Sequence, residues 1–416
     1  MEKLANELRR PTTFRHLYEV AFKSHAAAGS GRCHQKQHPR RSSSTSAKRP
    51  RTALFFPGQG VQRVGMATPW LEAYPRTAKP IMDEIDSTLG FALSRVIAEG
   101  SNAELTATEN AQPAIMATSI MILRVLEHEF GFRPRDKVDV TLGHSLGEFA
   151  ALVAGGYLRF YDALKMVRTR AEVMARCSRD AAELDGGEFG MVALVCEEAR
   201  LAALIEAIHE FLGHSSAGSK SDSHEDSDLP PIQQVLIANI NSKNQIVLSG
   251  SIERIKTLLT HLRQFGGHDP RAVRLKADSP FHSPLMKPAA DVMTKILDKP
   301  SQEAPDEDVV TFPGLMPCVS NVTARPFQSR AELKDLLARQ AVDTVQWHDS
   351  IKYLDQEEKV RRWIGIGPGK VGRNLVGKEV GMKGAVKGGG VWGISSPAEV
   401  EDIMKALDAT DTAEED

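Results

Sequence analysis

Strand-like runs alternate with longer segments of helical periodicity along most of this chain. The run Ala53–Phe56 ends at Pro57-Gly58, and the run Val138–Leu142 ends at Gly143, after which the spacing predicts an apolar helix from about Leu146. Short strand-like runs followed by turn residues and then by helical spacing are typical of parallel strands joined by helices. The pattern therefore predicts an α/β fold with a parallel sheet, built from residues 52–188 and 277–400.

Residues 189–276 follow a different order of elements. The pattern predicts, in turn, a strand, a helix, a hairpin of two strands, a helix and a last strand: Met191–Cys196, Glu197–Phe211, Gln234–Ile240 with Gln245–Leu248, Ile252–Phe265 and Ala272–Leu275. The order β-α-β-β-α-β indicates a small ferredoxin-like subdomain inserted in the larger core.

Residues 213–231 interrupt this subdomain and are rich in Ser, Gly, Asp and His. A segment of that composition cannot bury much apolar surface, so we predict a flexible loop. His209, His214 and His224 raise the alternative of a metal site. Their irregular spacing, without cysteine nearby, favours a solvated loop instead.

The composition excludes several classes of protein. The chain has 416 residues, of which 41% are hydrophobic and 25% charged, which is ordinary for a soluble protein of two or three domains. The most apolar stretch, Ala114–Leu126, contains Arg124 and is shorter than the roughly 18 residues of a membrane span. The four cysteines Cys33, Cys177, Cys196 and Cys318 show no CxxC spacing, so we expect a reducing compartment and no metal site.

Charge is distributed unevenly. The formal net charge is −2, but residues 1–51 hold 12 Lys+Arg against 3 Asp+Glu, which leaves residues 52–416 at −11. An Arg-rich, Ser-rich and acid-poor leader favours mitochondrial targeting, hence the matrix, although Glu2, Glu7, Glu19 and Pro11 are unusual in such a leader. Two alternatives remain: a tail that is not a targeting signal, in which case the protein is cytoplasmic, and a nuclear localisation signal at Lys48–Arg51. Residues 401–416 are predicted to form a helix end and an acidic tail, and the tail is expected to be Asp411–Asp416.

One motif carries candidate chemistry. Gly143–Gly147 reads G-x-S-x-G between a predicted strand and a predicted helix, which is the context of a nucleophile elbow with Ser145 at its tip. Glycines allow the sharp turn, and the helix N-terminus presents amide groups to a developing oxyanion. The alternative is a glycine-rich turn with a capping serine.

A nucleophilic serine needs a base. His144 adjoins Ser145 but should point away from it in an elbow, whereas His282 lies between two prolines in Ser279–Pro284. Prolines on both sides fix the backbone and suit a residue that is held at the mouth of a site. From the residues alone, a packed loop histidine is favoured over a general base at His282.

At this point the sequence resembles the malonyl-CoA:acyl carrier protein transacylases. The matching motifs are collinear from about residue 53 to about residue 395: Phe56–Gly60, Gln112–Ala114, Gly143–Phe149, Arg170, Phe281–Pro288, Val345–Trp347 and Gly367–Lys370. The resemblance implies an α/β-hydrolase-like core with an inserted ferredoxin-like subdomain, which agrees with the pattern of elements.

The resemblance also implies roles for individual residues. Ser145 is the expected nucleophile and His282 its general base and acid, with a backbone carbonyl near Gln346 orienting the imidazole in place of a third acid. The backbone N–H groups of Gln59 and Leu146 are expected to form the oxyanion hole.

Arg170 is expected to bind the free malonyl carboxylate. On a helix from Asp162 to Cys177, Arg168 and Arg170 flank the apolar stripe equally, so helical spacing does not choose between them, while Arg176 lies opposite the stripe and is solvated. The resemblance selects Arg170. It also suggests that Phe281, before the histidine, disfavours a 2-methyl branch on the acyl group.

The resemblance therefore implies a malonyltransferase of fatty acid synthesis. Its expected partners are malonyl-CoA and acyl carrier protein, and it should need no metal or redox cofactor, bind neither nucleic acid nor membrane, and act as a monomer. Alternatives are a serine esterase or thioesterase, an acyltransferase of polyketide synthesis, and a carrier-binding scaffold without activity. Gly367–Gly372 matches G-x-G-x-x-G, but no acidic residue follows at the expected interval, so we do not expect a dinucleotide site.

Overall fold

Nine strands form two separate sheets in a computed structural model that describes residues 49–213, 235–277, 279–382 and 389–411. The strands are β1 (Arg51–Phe56), β2 (Val140–Gly143), β3 (Phe189–Val195), β4 (Leu236–Ser242), β5 (Gln245–Ser251), β6 (Arg271–Arg274), β7 (Cys318–Val319), β8 (Val360–Ile366) and β9 (Gly390–Ile394). The larger sheet has the order β7-β2-β1-β8-β9, and the smaller has the order β4-β5-β3-β6.

Fifteen α-helices connect and cover these strands within the described ranges. They are α1 (Thr68–Ala73), α2 (Pro75–Leu89), α3 (Leu93–Glu99), α4 (Asn102–Thr106), α5 (Thr108–Phe130), α6 (Pro134–Lys137), α7 (Gly147–Ala154), α8 (Phe160–Asp185), α9 (Leu201–Leu212), α10 (Ile252–Gln264), α11 (Lys287–Leu297), α12 (Arg330–Arg339), α13 (Trp347–Gln356), α14 (Val371–Val380) and α15 (Val400–Thr410). Short 3₁₀ turns precede three of them, at Glu198–Arg200, Pro284–Met286 and Pro397–Glu399.

The larger sheet is parallel throughout, as the alternating pattern predicts. Strands β1 and β2 are almost fully buried and pair in register from Ala53 opposite Val140 to Phe56 opposite Gly143. Parallel strands with helices on both faces read as continuous apolar runs for this reason. Because the two strands end together, the turns that follow them meet at one edge of the sheet.

The apolar stretch Ala114–Leu126 lies inside helix α5, which is buried over most of its circumference. A helix that is apolar on all sides is a core helix when other elements surround it. Among the described residues, no helix is long and apolar enough to span a bilayer.

The smaller sheet is antiparallel and has the predicted ferredoxin-like order. Strand β3 pairs with both β5 and β6, and β4 pairs with β5, while α9 and α10 pack on one face of this sheet. The predicted elements agree with the observed ones to within a few residues. Residues 214–234 lie outside the described residues, and with them nearly all of the predicted flexible loop, His214 and His224.

The smaller sheet is joined to the core by a segment that follows helix α12. The amide of Val345 donates to the carbonyl of Ala238 at 2.8 Å, and the amide of Ile240 donates to the carbonyl of Val345 at 3.0 Å. The hydroxyl of Thr344 donates to the carbonyl of Ile237 at 2.7 Å. Residues 344–345 therefore extend the edge of the smaller sheet beside β4, although they belong to the core.

Both predicted boundaries of the tails are wrong by a few residues. Strand β1 begins at Arg51, and the Nη1 atom of Arg49 lies 2.8 Å from Asp139 Oδ2, so the fold includes the end of the predicted leader 1–51. At the other end, Asp411 bonds the buried Arg362 and lies 3.0 Å from Lys137 Nζ, so it belongs to the fold rather than to the acidic tail. The charge pattern hides this because the paired charges are far apart in sequence. Residues 1–48 and 412–416 lie outside the described residues.

Candidate active site

The G-x-S-x-G motif forms a sharp turn from strand β2 into helix α7. Ser145 has φ of +51°, in the left-handed region of the backbone that residues other than glycine rarely adopt. A Cβ on Gly143 would lie 2.0 Å from the carbonyl carbon of Gly147, and a Cβ on Gly147 would lie 2.6 Å from the carbonyl oxygen of Phe56. The turn therefore tolerates no side chain at either glycine, and it exposes the serine at the carboxyl end of the sheet.

Ser145 and His282 form a hydrogen-bonded pair. The distance between Ser145 Oγ and His282 Nε2 is 2.7 Å, and His282 is buried with φ of +54°. The Nδ1 atom of His282 lies 3.2 Å from the carbonyl oxygen of Asp343. If Nδ1 carries the proton and donates it to this carbonyl, Nε2 is left free to accept the proton of the serine.

The carbonyl that orients His282 lies near Gln346 in the sequence but does not belong to Gln346. Gln346 immediately precedes helix α13, and its carbonyl accepts the hydroxyl of Ser350 at 2.7 Å and the Ser350 amide. Asp343, three residues earlier, supplies the carbonyl that contacts the imidazole. The first helical turn uses the carbonyl of Gln346 itself, so the carbonyl that faces His282 is that of Asp343, near Gln346 but not at it.

The predicted oxyanion donors lie at the same edge of the sheet. Leu146 directly precedes helix α7, and Gln59 lies in the turn after β1, whose end is in register with that of β2. Within the described part of the chain, neither amide N–H has an acceptor. Both groups are therefore available to a negatively charged oxygen next to Ser145.

His144 is directed away from the nucleophile, as expected for its position in an elbow. Its Nε2 atom lies 2.9 Å from Asn241 Oδ1 in strand β4, and its ring packs edge-on against Trp347. Burial lowers its pKa below the ordinary value. His144 therefore connects the elbow to the smaller sheet as a neutral group.

Arg170 is buried in helix α8, and its hydrogen-bond partners are neutral. Its Nη1 atom donates to Gln112 Oε1 at 2.8 Å and its Nη2 atom to Gln340 Oε1 at 2.7 Å. Its Nε–H has no acceptor among the described residues. Burial lowers the pKa of Arg170 to about 10, while the nearby Glu148 opposes this shift. The arrangement is a buried cation with donors to spare and no carboxylate bonded to it.

Arg168 has a different environment, which the helical wheel alone does not reveal. Its Nε atom lies 2.5 Å from Glu172 Oε1, and its Nη1 atom donates to the carbonyl of Glu109 at 2.6 Å. Arg176 is exposed, as expected. Of the two arginines that flank the stripe, only Arg170 reaches the buried interior beside Ser145 and His282.

Gln340 connects the arginine to the nucleophile, and the sequence reasoning missed it. Its Nε2 atom donates to the carbonyl of Ser145 at 2.6 Å and to Glu148 Oε2 at 2.8 Å. Its Oε1 atom is thereby left to accept from Arg170. Burial raises the pKa of Glu148 to about 7, against the lowering effects of its hydrogen bonds and of Arg170. Gln340 follows the end of helix α12 in a stretch without a distinctive pattern, whereas Glu148 lies within the quoted elbow motif.

The pKa of His282 is lowered to about 3. Burial is the largest cause, followed by the positive charge of Arg170 and the nearby His144, while hydrogen bonds to the carbonyls of Gln340 and Asp343 act in the opposite direction. His282 is therefore neutral at physiological pH, which is the state that a general base requires.

Phe281 and the glycine-rich turn Gly367–Gly372 are both held by packing or ionic contacts. Phe281 is buried in an apolar cluster that includes Val173 and Met174 of helix α8. In the glycine-rich turn, Lys370 forms an ion pair with Glu399 at 3.0 Å. A Cβ on Gly367 would lie 2.4 Å from Ser119 Oγ, so this glycine is required by packing.

Comparison with known proteins identifies the family. The model of the acyl transferase domain matches residues 54–210. The malonyl CoA-acyl carrier protein transacylase of Bacillus subtilis is 38% identical over 326 residues, which cover 78% of this chain and 89% of that protein. This chain belongs to the malonyl CoA-acyl carrier protein transacylase family. The transacylase of Escherichia coli K12 is 29% identical over 323 residues, covering 77% of this chain and 89% of its own length.

Solved structures of transacylases have the same fold. The acyl-carrier-protein S-malonyltransferase of Bartonella henselae matches with a TM-score of 0.68 at 30% identity and covers 86% of this chain and 99% of its own. The malonyl CoA-acyl carrier protein transacylase of Coxiella burnetii matches with a TM-score of 0.69 at 26% identity, covering 88% and 99%. The predicted fold class and family are thereby confirmed. In this transacylase fold, Ser145 contacts His282 directly and is linked to Arg170 through Gln340, so the three predicted residues belong to one site.

Proposed function

We propose that this protein transfers the malonyl group of malonyl-CoA to the phosphopantetheine thiol of an acyl carrier protein and so supplies fatty acid synthesis. The observation that carries the proposal is the 2.7 Å contact between Ser145 Oγ and His282 Nε2, beside a buried Arg170 with an unused donor. A nucleophile with its base explains acyl transfer, and the cation explains an acyl group that ends in a carboxylate.

In the first step, Ser145 Oγ attacks the thioester carbonyl of malonyl-CoA while His282 Nε2 takes the hydroxyl proton. The carbonyl oxygen becomes an oxyanion, which the N–H groups of Gln59 and Leu146 stabilise. The carbon–sulfur bond then breaks, coenzyme A leaves with the proton from His282, and malonyl remains on Ser145 as an ester.

In the second step, the carrier's thiol gives its proton to His282 and attacks the ester. The same two amides stabilise the second tetrahedral intermediate, and Ser145 regains its proton as it leaves. The carbonyl of Asp343 accepts from the imidazole throughout and replaces the carboxylate of a triad. This exchange requires no metal or redox cofactor.

Arg170 selects the acyl group. A planar guanidinium can donate two parallel hydrogen bonds to a carboxylate, which an acetyl group lacks. The charge is already desolvated, so a malonyl carboxylate restores the electrostatic balance of a buried cation. Phe281, which precedes His282 and is buried beside Val173 and Met174, would disfavour a methyl branch by only about 1 to 3 kcal/mol, so methylmalonyl is slowed rather than excluded.

The proposal is tested by incubating the protein with isotope-labelled malonyl-CoA, first alone and then with an acyl carrier protein. We expect one label per Ser145, transfer of that label to the carrier, and no label in Ser145→Ala with its fold intact. Rapid hydrolysis without transfer would instead indicate an esterase or thioesterase. An unlabelled wild-type protein would indicate a scaffold. Carriers of fatty acid and polyketide synthesis, compared side by side, distinguish the two pathways.

The basic leader supports a location in the mitochondrial matrix. Residues 1–48 carry this basic composition, whereas Arg49 and Arg51 already belong to the fold. Residues 1–48 fused to a fluorescent protein should direct it to mitochondria, and a cytoplasmic or nuclear signal would contradict this. Light scattering of the protein without this segment tests the proposed monomer.

A further inference from the structure

A carboxamide lies across the nucleophile elbow. Asn321 Oδ1 accepts from the amide of Ser145 at 2.7 Å, and Asn321 Nδ2 donates to the carbonyl of Gly143 at 2.6 Å. Asn321 is buried and follows strand β7 by two residues. Its side chain thus binds the backbone on both sides of His144.

These two bonds continue the parallel sheet beyond the end of its edge strand. Strands β2 and β7 pair up to Leu142 opposite Val319, after which the backbone of β7 diverges. In a parallel ladder, one residue donates its N–H to the residue before its partner and accepts from the residue after it. The carboxamide of Asn321 makes this pattern with Gly143 and Ser145, so it takes the place of the missing peptide group.

The pairing matters because the elbow is strained. With φ of +51°, Ser145 needs its surroundings to hold it in the left-handed region. Its amide has left the ladder of β2 and has not entered helix α7, so Asn321 supplies its acceptor. Loss of that acceptor would allow the peptide before Ser145 to rotate and carry Oγ away from His282.

The carboxamide is itself held in one orientation. The backbone of Asn321 is fixed on both sides: its amide donates to Glu148 Oε1 at 2.9 Å, and its backbone carbonyl accepts from the amide of Gln346 at 2.8 Å. Exchange of Oδ1 and Nδ2 would set the NH₂ group against the Ser145 amide and the oxygen against the Gly143 carbonyl. Only one orientation of the carboxamide pairs its oxygen with the Ser145 amide and its NH₂ group with the Gly143 carbonyl.

We propose that Asn321 is a positioning residue for the acyl transfer: its carboxamide replaces a strand and fixes the strained backbone of Ser145, so that Oγ stays within reach of His282. The inference deepens the proposed function and rests on it. Asn321 touches neither reacting atom, so its contribution should appear in the rate constant of acylation and not in substrate binding.

The test measures the formation of malonyl-enzyme by rapid quench and mass spectrometry, with malonyl-CoA and no thiol acceptor. Asn321→Leu has a similar volume and loses both bonds. We expect its acylation rate constant per labelled site to fall by roughly 10- to 100-fold, with half-saturation by malonyl-CoA changed less than about threefold. Asn321→Asp keeps the acceptor for Ser145 but loses the donor to Gly143, so its loss should be smaller. Thr323→Val is the control and should match the wild type, because Thr323 lies in the same loop, is exposed, and has Arg325 as the only hydrogen-bond partner of its side chain among the residues that the structure describes.

The outcomes separate the inference from the function on which it rests. A wild-type protein that forms no malonyl-enzyme contradicts the proposed function itself. A labelled wild type with unchanged acylation in Asn321→Leu overturns the positioning role, as does a loss confined to half-saturation. If Asn321→Leu does not fold, Asn321→Asp decides: a wild-type rate constant there overturns the inference, and a reduced one at unchanged half-saturation supports it.

Discussion

Replacing Arg170 by methionine should convert a malonyl-selective site into one that no longer distinguishes malonyl from acetyl. Methionine approximates the length of the aliphatic part of the side chain and removes the charge. The guanidinium has five N–H donors, of which one each on Nη1 and Nη2 is used by Gln112 and Gln340. The remaining donors, including the unpaired Nε–H, are available to a substrate carboxylate.

The size of the effect follows from those donors. A hydrogen bond to a charged group contributes about 1.5 to 3 kcal/mol, so two to a malonyl carboxylate amount to about 3 to 6 kcal/mol. At 1.36 kcal/mol per factor of ten, kcat/KM for malonyl should fall by roughly 10² to 10⁴. An acetyl group does not use these bonds, and its kcat/KM should change much less.

The assay compares kcat/KM for malonyl-CoA and acetyl-CoA, with one carrier protein as acceptor, in the wild type, Arg170→Met and Arg168→Met. Arg168 lies on the same helix but bonds Glu172 and Glu109, so its variant is the matched control and should keep the wild-type ratio. An unchanged malonyl-to-acetyl ratio in Arg170→Met would refute the reasoning. So would a changed ratio in Arg168→Met.

Three further predictions concern the elbow and its ionisable neighbours. Ser145→Gly and Ser145→Ala should both abolish acylation, but Ser145→Gly should be more stable than Ser145→Ala by about 1 kcal/mol in thermal unfolding, because glycine tolerates φ of +51°. Equal stability of the two variants would contradict the strain at this position. Because burial lowers the pKa of His282 to about 3, acylation should lack a loss near pH 6.5 from this residue, and Arg170→Met, by removing the next-largest cause, should move the acid limb upward. An inflection near pH 6.5 that persists in Glu148→Gln would argue against a neutral His282. The pKa of Glu148 is raised to about 7, so its contribution to stability, up to about 3 kcal/mol, is present below about pH 4.5 and is lost as pH rises through 7. The free energy of unfolding of Glu148→Gln in denaturant should therefore depend less on pH across that window, and a slope equal to the wild type's would exclude the shift.

The sequence predicts the fold well because each element is locally consistent. Buried strands read as apolar runs that end at glycine, and the inserted β-α-β-β-α-β order is visible in the spacing alone. The ends of the fold are less predictable. Arg49 and Asp411 lie in charged segments typical of tails, and only their distant partners Asp139 and Arg362 hold them in place.

The site is predicted as far as local motifs reach. A strand-turn-helix context identifies Ser145, and paired prolines draw attention to His282. Gln340 and Asn321 have no such signal, because each acts through partners 170 or more residues away in sequence. The sequence places the orienting carbonyl only near Gln346 and does not single out Asp343, because a backbone group leaves no mark in the sequence of side chains.

The backbone bridge between residues 344–345 and strand β4 of the smaller sheet has a consequence for how this protein unfolds. Asp343, whose carbonyl holds His282, directly precedes a segment that is hydrogen-bonded to β4 of the inserted subdomain. The insertion is therefore no detachable module: opening the smaller sheet releases the same backbone that aligns the base. Loss of activity and exchange of the β4 amides with solvent should follow one shared opening event, earlier than the parallel sheet, which carries the nucleophile, gives way.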